Sequence, residues 1–460
     1  MIKKIVLLLI TFVIMNLITI AYGIYKLGLL NLNLDIITFL RYNFDSIQIL
    51  PFINIIFYLI IIFTLFLIIF KFTKTNNYYK SIFIFFSIIL LLGTIKLCIT
   101  YKVFYYISHK LETSDFYEKH YVDAKQVSIQ VPKQKKNLIL IFMESMEFTF
   151  ADNKFFKENL IPELTKLSNE NISFNKHLQG YFQNNTQMSL VATMTGIPSR
   201  AIFIGKNFGN NEIGKELKEY LPNIYSLPDI LKDNGYNTMF IQSGDVDFAG
   251  ARTFLQQHSF DFIMGEEELS KCFSNITKNE WGVEDKFTFE TLKKELLQNY
   301  KTDIPFFFTI FTTDTHFNNN SSITESKNKI KQTSILISDF INWCNKQNFI
   351  KDTTIIIIGD HLRMKDQFIS EYYDKRYIYN CFINSVYTNK NVNKNRTFSQ
   401  IDLFPTILEA LGFKIEGSKL GLGTSLFSDK KTLLEEFGEG ELNSQLAKRN
   451  KIYNNLWKSK

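Results

Sequence analysis

The sequence predicts an α/β domain with a mostly parallel central sheet flanked by helices, preceded by three transmembrane helices. Two uncharged apolar runs, Asn137–Phe142 and Thr353–Ile358, have the composition of parallel strands that are buried on both faces. Each run is followed closely by acidic or histidine side chains, which are common metal ligands. Because active sites of open α/β sheets form at the carboxyl ends of such strands, the pattern indicates a metal-dependent hydrolase or transferase.

The first hundred residues carry very few charges, whereas the rest of the chain has the mixed composition of a globular domain. Three apolar stretches, Ile5–Tyr25, Pro51–Phe70 and Ser81–Ile99, each approach or exceed the ~20 residues that cross a bilayer. A cleaved signal peptide is the alternative for the first stretch, but it lacks a clear cleavage site and two further stretches follow. Residues 1–102 are therefore predicted to form a membrane anchor of three helices.

The distribution of basic residues predicts the orientation of this anchor. They concentrate before the first span and between the second and third spans: Lys3, Lys4, Lys71, Lys74 and Lys80. The longer connection between the first two spans carries only Lys26 and Arg41. Because basic loops stay inside, three crossings place everything after residue 102 on the periplasmic or extracellular side of a bacterial cytoplasmic membrane.

Charge and cysteine content narrow the range of partners. The net charge of +7 suits a domain beside anionic phospholipid, and it equally suits a solvated lysine-rich surface. The lysines are scattered, and the predicted location is outside the cell, so we expect no nucleic-acid partner. Cys98 lies in a predicted span, while Cys272, Cys344 and Cys381 are too dispersed for a disulfide framework. One disulfide among these last three is compatible with the sequence but not required.

Beyond the anchor, we divide the chain into three parts. Residues 103–136 are predicted to form a juxtamembrane helix and linker, residues 137–430 an extracytoplasmic catalytic domain, and residues 431–460 a charged tail. Strands and helices alternate in the catalytic part, as in a parallel sheet. The predicted strands are Asn137–Phe142, Asn237–Gln242, Phe306–Thr312, Thr353–Ile358 and Ile378–Val386. The predicted helices are Asn159–Asn169, Asn185–Thr195, Ser226–Asn234, Ile330–Gln347 and Asp402–Leu411.

Three strand-end residues and one threonine form a candidate metal site. Glu144 follows one buried strand, and Asp360 and His361 follow another. Thr186 lies near the start of a predicted helix, where backbone N–H groups favour anions; taken alone, this segment favours a simple N-cap threonine. A divalent cation held by the other three residues would turn the threonine hydroxyl into a nucleophile. Mixed oxygen and nitrogen ligands favour manganese, zinc or magnesium over a soft metal.

His316 is a further candidate for the site. It follows the predicted strand Phe306–Thr312, within the run Asp314-Thr315-His316. An ordinary loop histidine is the alternative interpretation. Its position at a strand end favours a role in binding phosphate or in assisting proton transfer.

These motifs resemble, in order, those of a known superfamily. The matching stretches are Asn137–Ser145, Thr186–Pro198, Leu227–Tyr236, Ser243–Gly250, Thr313–Phe317, Gly359–Met364 and Ile401–Thr406. Each is weakly specific alone, but the ordered set spans most of residues 137–415. The chain resembles membrane-anchored members of the alkaline phosphatase superfamily, in particular lipoteichoic acid synthases and the phosphoglycerol transferases of osmoregulated glucans.

This resemblance implies specific roles for the candidate residues. It implies that four of them bind one divalent metal ion, with Mn²⁺ expected and Zn²⁺ or Mg²⁺ as alternatives: Glu144, Thr186, Asp360 and His361. It also implies that Thr186 is the nucleophile and that His316 assists catalysis. Contacts to the substrate phosphate or its head group are implied for His316, Asp245 and Arg252.

The reaction implied is transfer of phosphoglycerol from phosphatidylglycerol to an extracytoplasmic glycan or lipid through a phosphothreonine intermediate. The sequence from Gly359 to Leu362 is closer to glucan phosphoglycerol transferases than to phosphoethanolamine transferases. It departs from lipoteichoic acid synthases at Ser243, where they carry His, and near Gly250, where they carry Trp. Those enzymes also have five spans rather than three.

Alternative functions follow from the same residues. Phosphoethanolamine transfer from phosphatidylethanolamine to a surface glycan, lipid A or protein would use the same metal and nucleophile. A phosphodiesterase that releases the head group to water is also compatible, as is a non-catalytic membrane-tethered binding protein. Sulfatase activity is not expected, because Thr195–Arg200 has no cysteine where sulfatases of this fold form their formylglycine.

Overall fold

A computed structural model of the 460-residue chain describes residues 112–199, 218–316, 321–364, 368–372, 374–388 and 392–458. The three predicted spans lie outside these residues. Within the described part of the chain, no helix has both the length and the apolar character needed to cross a bilayer.

Strands and helices alternate along the described chain. The strands are β1 (Ile129–Gln130), β2 (Asn137–Met143), β3 (Lys176–His177), β4 (Asn237–Gln242), β5 (Phe262–Met264), β6 (Lys278–Asn279), β7 (Gly282–Val283), β8 (Phe306–Phe311), β9 (Thr353–Gly359), β10 (Asn380–Ile383), β11 (Thr397–Phe398), β12 (Lys414–Ile415), β13 (Lys419–Leu420) and β14 (Gly423–Thr424). The helices are α1 (Phe116–His120), α2 (Asn153–Phe156), α3 (Pro162–Glu170), α4 (Thr186–Thr195), α5 (Leu227–Asp233), α6 (Ala251–Gln257), α7 (Glu266–Cys272), α8 (Asp285–Asn299), α9 (Ile323–Cys344), α10 (Leu403–Ala410), α11 (Leu433–Ala447) and α12 (Lys451–Leu456).

The central sheet has the strand order β10-β9-β2-β8-β4-β5. The strands from β9 to β5 run parallel, and β10 runs antiparallel to β9 at one edge. The predicted α/β fold with a mostly parallel sheet is therefore confirmed. The strand predicted over Ile378–Val386 is shorter in the structure and closes the sheet edge in the opposite direction.

Both faces of the sheet are covered, which explains the uninterrupted apolar runs. Along β2, Leu140 and Phe142 face one hydrophobic cluster, whereas Ile139 and Ile141 face the other. Helices α4, α5 and α10 contribute to the first cluster, and α3, α8 and α9 contribute to the second. If polar residues alternated with apolar ones along these strands, their side chains would be buried without hydrogen-bond partners.

The register of the sheet aligns the carboxyl ends of four neighbouring strands. Met143 at the end of β2 lies opposite Gly359 at the end of β9. Phe311 at the end of β8 lies opposite Phe142 of β2 and Gln242 of β4. Since adjacent strands are ~4.8 Å apart, the residues that follow β9, β2, β8 and β4 form one row along this edge.

The chain on either side of the predicted catalytic part packs onto the domain. Residues 431–460, expected to form a charged tail, contain α11 and α12, and Leu442 and Leu446 are buried in the first cluster. Buried Arg396 forms an ion pair with Glu435 of α11, with Nε and Oε1 2.9 Å apart. In the predicted linker, β1 pairs with β12. Buried apolar residues at helical spacing on α11, together with this ion pair, attach the segment to the domain although its overall composition is charged.

The cysteines of the described residues are all free. Cys272 is exposed, whereas Cys344 and Cys381 are buried. The disulfide that the sequence allowed among them is therefore not formed, and burial of the last two suits their use as small apolar side chains.

Gly359 provides a test of the tight contact at the end of β9. A Cβ atom at this position would lie 2.0 Å from the carbonyl oxygen of Met146, so backbone must move to accept it. We expect Gly359→Ala to lower the free energy of unfolding by about 1–3 kcal/mol. In Gly440→Ala, where a Cβ atom meets nothing within 4 Å, we expect no loss and up to about 1 kcal/mol of gain. Urea unfolding measures the free energy of unfolding of both variants. If the two were equally stable, the close approach of Met146 to Gly359 would not constrain the fold.

The acid sensitivity of the fold should depend on His177. This side chain is fully buried and stacks on Phe398, with ring centroids 4.4 Å apart. Burial lowers the pKa of His177 to about 3. Between pH ~6.5 and pH ~3 the unfolded chain therefore binds a proton that the folded protein does not. The free energy of unfolding then falls by up to ~1.4 kcal/mol for each unit by which the pH is lowered. Urea unfolding between pH 7 and pH 5 should show a smaller loss of stability in His177→Phe than in the wild type. If the free energy of unfolding changed with pH equally in both proteins, His177 would not be the source of the acid sensitivity.

Candidate metal centre and active site

Three ligand-type side chains meet where β2 and β9 end. Because Met143 and Gly359 are register partners, the next residues, Glu144 and Asp360, leave the sheet side by side. Together with His361 they are at most 2% exposed, and one donor atom from each lies within 4.8 Å of the others. The structure thus brings together these three predicted metal ligands.

Thr186 joins this cluster through its hydroxyl group. Helix α4 begins at Thr186, but the capping residue is Asn185, whose side chain accepts a hydrogen bond from the Met188 N–H at 2.9 Å. The N-cap interpretation of Thr186 is therefore wrong. The Thr186 hydroxyl instead donates to Glu144 Oε2 at 3.1 Å.

The Asp360 carboxylate has one satisfied and one unsatisfied oxygen. Oδ1 accepts hydrogen bonds from the backbone N–H groups of Ser145 and His361, both at 2.7 Å. Oδ2 is buried and accepts no hydrogen bond from any described residue. A buried oxygen without a partner is costly, and a cation would satisfy it. This orphaned oxygen fits a metal ligand.

His361 presents one ring nitrogen to the carboxylates. Its Nδ1 lies 2.9 Å from the carbonyl oxygen of Leu362, and a carbonyl can only accept, so Nδ1 carries a proton. Nε2 lies 3.4 Å from Asp360 Oδ2 and 3.6 Å from Glu144 Oε1. In the neutral ring, Nε2 is then the atom available to a metal, as in other histidine ligands with a fixed tautomer.

The electrostatics of the cluster are strongly perturbed. Burial, together with the charge of Glu144, raises the pKa of Asp360 to about 7. Burial also acts to raise the pKa of Glu144, but the charges of His361 and His316, together with the hydrogen bonds from Ser145 and Thr186, outweigh it and the pKa is lowered. For His361, burial acts to lower the pKa, while the two carboxylates reverse this and raise it. Opposed shifts in one buried cluster are typical of functional sites, and a divalent cation would favour both ionised carboxylates.

The main chain around Glu144 is held by the loop that follows the neighbouring strand β8. The Glu144 N–H donates to Thr312 Oγ1 at 3.1 Å, and the Thr315 hydroxyl donates to the Glu144 carbonyl at 2.5 Å. Ser145 adopts a left-handed backbone conformation, with φ at 51°. Such strain persists where surrounding contacts impose it, often at functional sites. It turns the chain so that the Ser145 N–H reaches Asp360.

Gln400 is a supporting residue that the sequence analysis missed. Its buried side-chain amide donates to the carbonyl oxygens of Gly359 and Asp360 and to Ser189 Oγ at 2.7 Å. The Ser189 hydroxyl also donates to the Asp360 carbonyl at 2.5 Å. Gln400 therefore ties the end of β9 to helix α4, which carries Thr186. It lies directly before the matching stretch Ile401–Thr406, which was the only hint in the sequence.

The predicted substrate residues lie further along the same edge. His316 follows β8, next to β2, and its charge is one of the two that lower the pKa of Glu144. Asp245 and Arg252 follow β4, one strand further away. Arg252 forms ion pairs with Asp247 at 2.8 Å and with Glu268 at 3.1 Å. The substrate roles of these residues remain predictions.

The sequence of this chain is similar to those of known proteins. The sequence pattern of the sulfatase family matches residues 136–413. Phosphoglycerol transferase I of Salmonella paratyphi B is 30% identical over 257 residues, which are 53% of this chain and 33% of that protein. Phosphoglycerol transferase I of Salmonella arizonae is 30% identical over 272 residues, which are 56% of this chain and 35% of that protein. The chain thus spans about a third of the length of these relatives.

Two solved structures share the fold. A protein of the alkaline phosphatase superfamily from Vibrio parahaemolyticus superposes with a TM-score of 0.54 at 21% identity, over 68% of this chain and 77% of that one. The lipoteichoic acid synthase LtaP from Listeria monocytogenes superposes with a TM-score of 0.52 at 19% identity, over 66% and 79%. The family pattern covers more than half of the chain. The resemblance read from the motifs is therefore confirmed, and the chain belongs to the sulfatase family.

Proposed function

We propose that this chain is a membrane-anchored, metal-dependent transferase. It moves phosphoglycerol from phosphatidylglycerol to an extracytoplasmic glycan or lipid through a phosphothreonine at Thr186. The observation that carries the proposal is the hydrogen bond from the Thr186 hydroxyl to Glu144, inside the cluster with Asp360 and His361. Sequence identity to proteins named phosphoglycerol transferase I supports the choice of head group.

The residues present fit one divalent metal ion. Glu144, Asp360, His361 and Thr186 would hold it, and the unsatisfied Asp360 Oδ2 supports this assignment. Oxygen and nitrogen donors suit Mn²⁺, with Zn²⁺ or Mg²⁺ as alternatives. When bound, the ion supplies positive charge that stabilises the threonine alkoxide and the phosphoryl oxygens.

In the first step, Thr186 Oγ1 attacks the phosphorus of the donor. Glu144 Oε2, which accepts the hydrogen bond from this hydroxyl, is placed to take up its proton. The bond between phosphorus and the diacylglycerol oxygen breaks, and the leaving oxygen takes a proton that His316 donates as general acid. Backbone N–H groups at the start of α4, which begins at Thr186, would favour the negative charge of the phosphate.

In the second step, an acceptor hydroxyl attacks the phosphothreonine. The bond between phosphorus and Thr186 Oγ1 breaks, and Thr186 Oγ1 regains the proton that Glu144 took up in the first step. His316 follows β8, the strand next to β2, and its charge acts on Glu144; in the proposed step it takes the proton of the acceptor hydroxyl as general base. Residues 1–102 would keep this site beside a donor that cannot leave the bilayer.

No described contact favours the phosphoethanolamine alternative. A cationic head group calls for unpaired acidic side chains, and the three consecutive glutamates of α7 are the obvious source. Each is paired in the structure, Glu266 with Lys278, Glu267 with Lys271, and Glu268 with Arg252. A purely binding function would not need a threonine hydroxyl directed at a metal-ligand carboxylate.

Diacylglycerol release tests the donor and the nucleophile together. We expect the full-length protein with Mn²⁺ to release diacylglycerol from labelled phosphatidylglycerol, and not from phosphatidylethanolamine. Thr186→Ala should lower the rate by about 10³-fold or more, because it removes the attacking oxygen. Thr302→Ala, at an exposed position that precedes β8 and so lies at the opposite end of that strand from the site, is the matched control and should keep the wild-type rate.

Each other outcome has a defined meaning. Release from phosphatidylethanolamine alone would replace phosphoglycerol with phosphoethanolamine as the transferred group. Release from neither lipid with Mn²⁺, Zn²⁺ or Mg²⁺ would reject a lipid donor. Wild-type activity in Thr186→Ala would reject the phosphothreonine mechanism.

Metal affinity tests the supporting role of Gln400. Gln400→Ala leaves all four proposed ligands in place but frees the end of β9 from α4, so we expect Mn²⁺ to bind about 10- to 100-fold more weakly. Calorimetric titration of the metal-free protein measures this. Gln256→Ala, on the exposed side of α6, should bind Mn²⁺ like the wild type. Equal affinity in all three proteins would show that Gln400 does not position the ligands.

A further inference from the structure

An aromatic pair lies on the side of the site away from β9. Trp281 occupies the two-residue turn between β6 and β7, and its ring stacks on His316 with centroids 3.7 Å apart and planes at 29°. Although the indole is large and apolar, 45% of the Trp281 residue surface is exposed. Its contact with His316 covers only part of the ring and leaves the rest open to a ligand.

The hairpin that carries Trp281 is attached to the ends of two sheet strands. The Asn279 side chain donates to Asp314 Oδ1 at 2.7 Å, in the loop that carries His316. The Val283 N–H donates to the carbonyl oxygen of Ser243 at 2.9 Å, directly after β4. Trp281 therefore stands over the gap between the ends of β8 and β4.

Close backbone packing holds this hairpin in place. A Cβ atom on Gly282 would lie 2.2 Å from the Ser243 carbonyl oxygen, and its φ of 142° disfavours other residues. A Cβ atom on Gly244 would lie 2.8 Å from the Trp281 carbonyl oxygen. Two glycines thus allow the hairpin and the end of β4 to touch, so the indole is placed by backbone contact.

The buried carboxylate of Asp285 forms hydrogen bonds with the same two segments. Its Oδ1 accepts hydrogen bonds from the Ser243 hydroxyl at 2.7 Å and the Thr313 N–H at 2.8 Å. Its Oδ2 accepts from the Asp314 N–H at 3.1 Å. One carboxylate therefore connects the ends of β4 and β8 with the start of α8, immediately after the hairpin.

The order of strands indicates what passes beneath Trp281. The proposed metal ligands follow β9 and β2, so the reacting phosphorus lies at that end of the row. A short head group that extends from it along the edge crosses β8 and approaches β4 within one or two strand spacings, ~5–10 Å. That is where Trp281 and His316 stand.

We propose that Trp281 is a specificity-determining residue that, with His316, forms the wall of the head-group subsite. The inference rests on the proposed function and names its head-group contact: the carbon chain of phosphoglycerol packs on the exposed indole. Apolar C–H groups gain dispersion and burial energy on an aromatic face, while the hydroxyls stay free for polar partners. Phosphate itself has no carbon atoms and gains nothing there.

Binding of small head-group analogues to the Mn²⁺-loaded, full-length protein tests this without turnover. By calorimetry, Trp281→Ala should bind glycerol 1-phosphate about 5- to 10-fold more weakly than the wild type, with inorganic phosphate unchanged. Trp281→Phe should keep most of the affinity, since it retains an aromatic face. Phe262→Ala removes a similarly exposed ring, 63% exposed, on the edge strand β5, and should bind both ligands normally.

Kinetics and fluorescence give independent measurements. Trp281→Ala should raise KM for phosphatidylglycerol about 5- to 10-fold and leave kcat within about 3-fold, because the lost contact is made in the bound substrate as well as the transition state. The chain has 3 tryptophans, so a change in emission on binding glycerol 1-phosphate that disappears in Trp281→Phe places the ligand at this ring.

Several results would overturn the inference. If Trp281→Ala weakened phosphate and glycerol 1-phosphate equally, the residue would support the fold or the metal site and not the head group. Unchanged affinity for both ligands would show that Trp281 does not belong to the subsite. If the same titration with phosphoethanolamine showed that Trp281→Ala weakens the binding of that ligand alone, the residue would recognise a different head group. If the metal-loaded wild type bound phosphate but no glycerol 1-phosphate, the proposed function would fail and this inference with it.

Discussion

The structure depends on two carboxylates that are held side by side in a buried place, Glu144 after β2 and Asp360 after β9. The parallel register of Met143 and Gly359 puts them there, and the lack of a side chain at Gly359 lets the Met146 carbonyl approach the end of β9 closely. Burial and mutual repulsion raise the pKa of Asp360. A divalent cation would resolve this conflict, and we propose the neighbouring His361 and Thr186 as the donors that would complete its surroundings.

The surrounding hydrogen bonds hold the main chain and leave the reactive atoms open. Thr312 and Thr315 hold both backbone groups of Glu144, while Gln400 and Ser189 hold the carbonyl of Asp360. Side-chain atoms such as Asp360 Oδ2 are therefore left for a ligand. Fixing the backbone before the ion binds lowers the reorganisation that binding requires, which is how outer contacts raise metal affinity.

The edge of the sheet separates two tasks. At β9 and β2 lie the groups suited to phosphoryl chemistry, which needs the same charges whatever is transferred. After β8 and β4 lie His316, Arg252 and the hairpin of Trp281, which in our proposal contact the transferred group, with His316 also transferring a proton. This second region is built from loops, and loops can change without disturbing the sheet.

The sequence was sufficient to predict the mostly parallel sheet and the grouping of Glu144, Asp360 and His361 at one edge of it. Uninterrupted apolar runs require two covered faces, and the carboxyl ends of parallel strands share one edge. Three contacts became visible only in the folded protein: Asn185 caps α4, Gln400 bonds to the end of β9, and Trp281 stacks on His316. These contacts join elements that are distant in the sequence, or they depend on the backbone angles of a single residue. A periodic pattern within one segment cannot show which distant residue folding will bring against it.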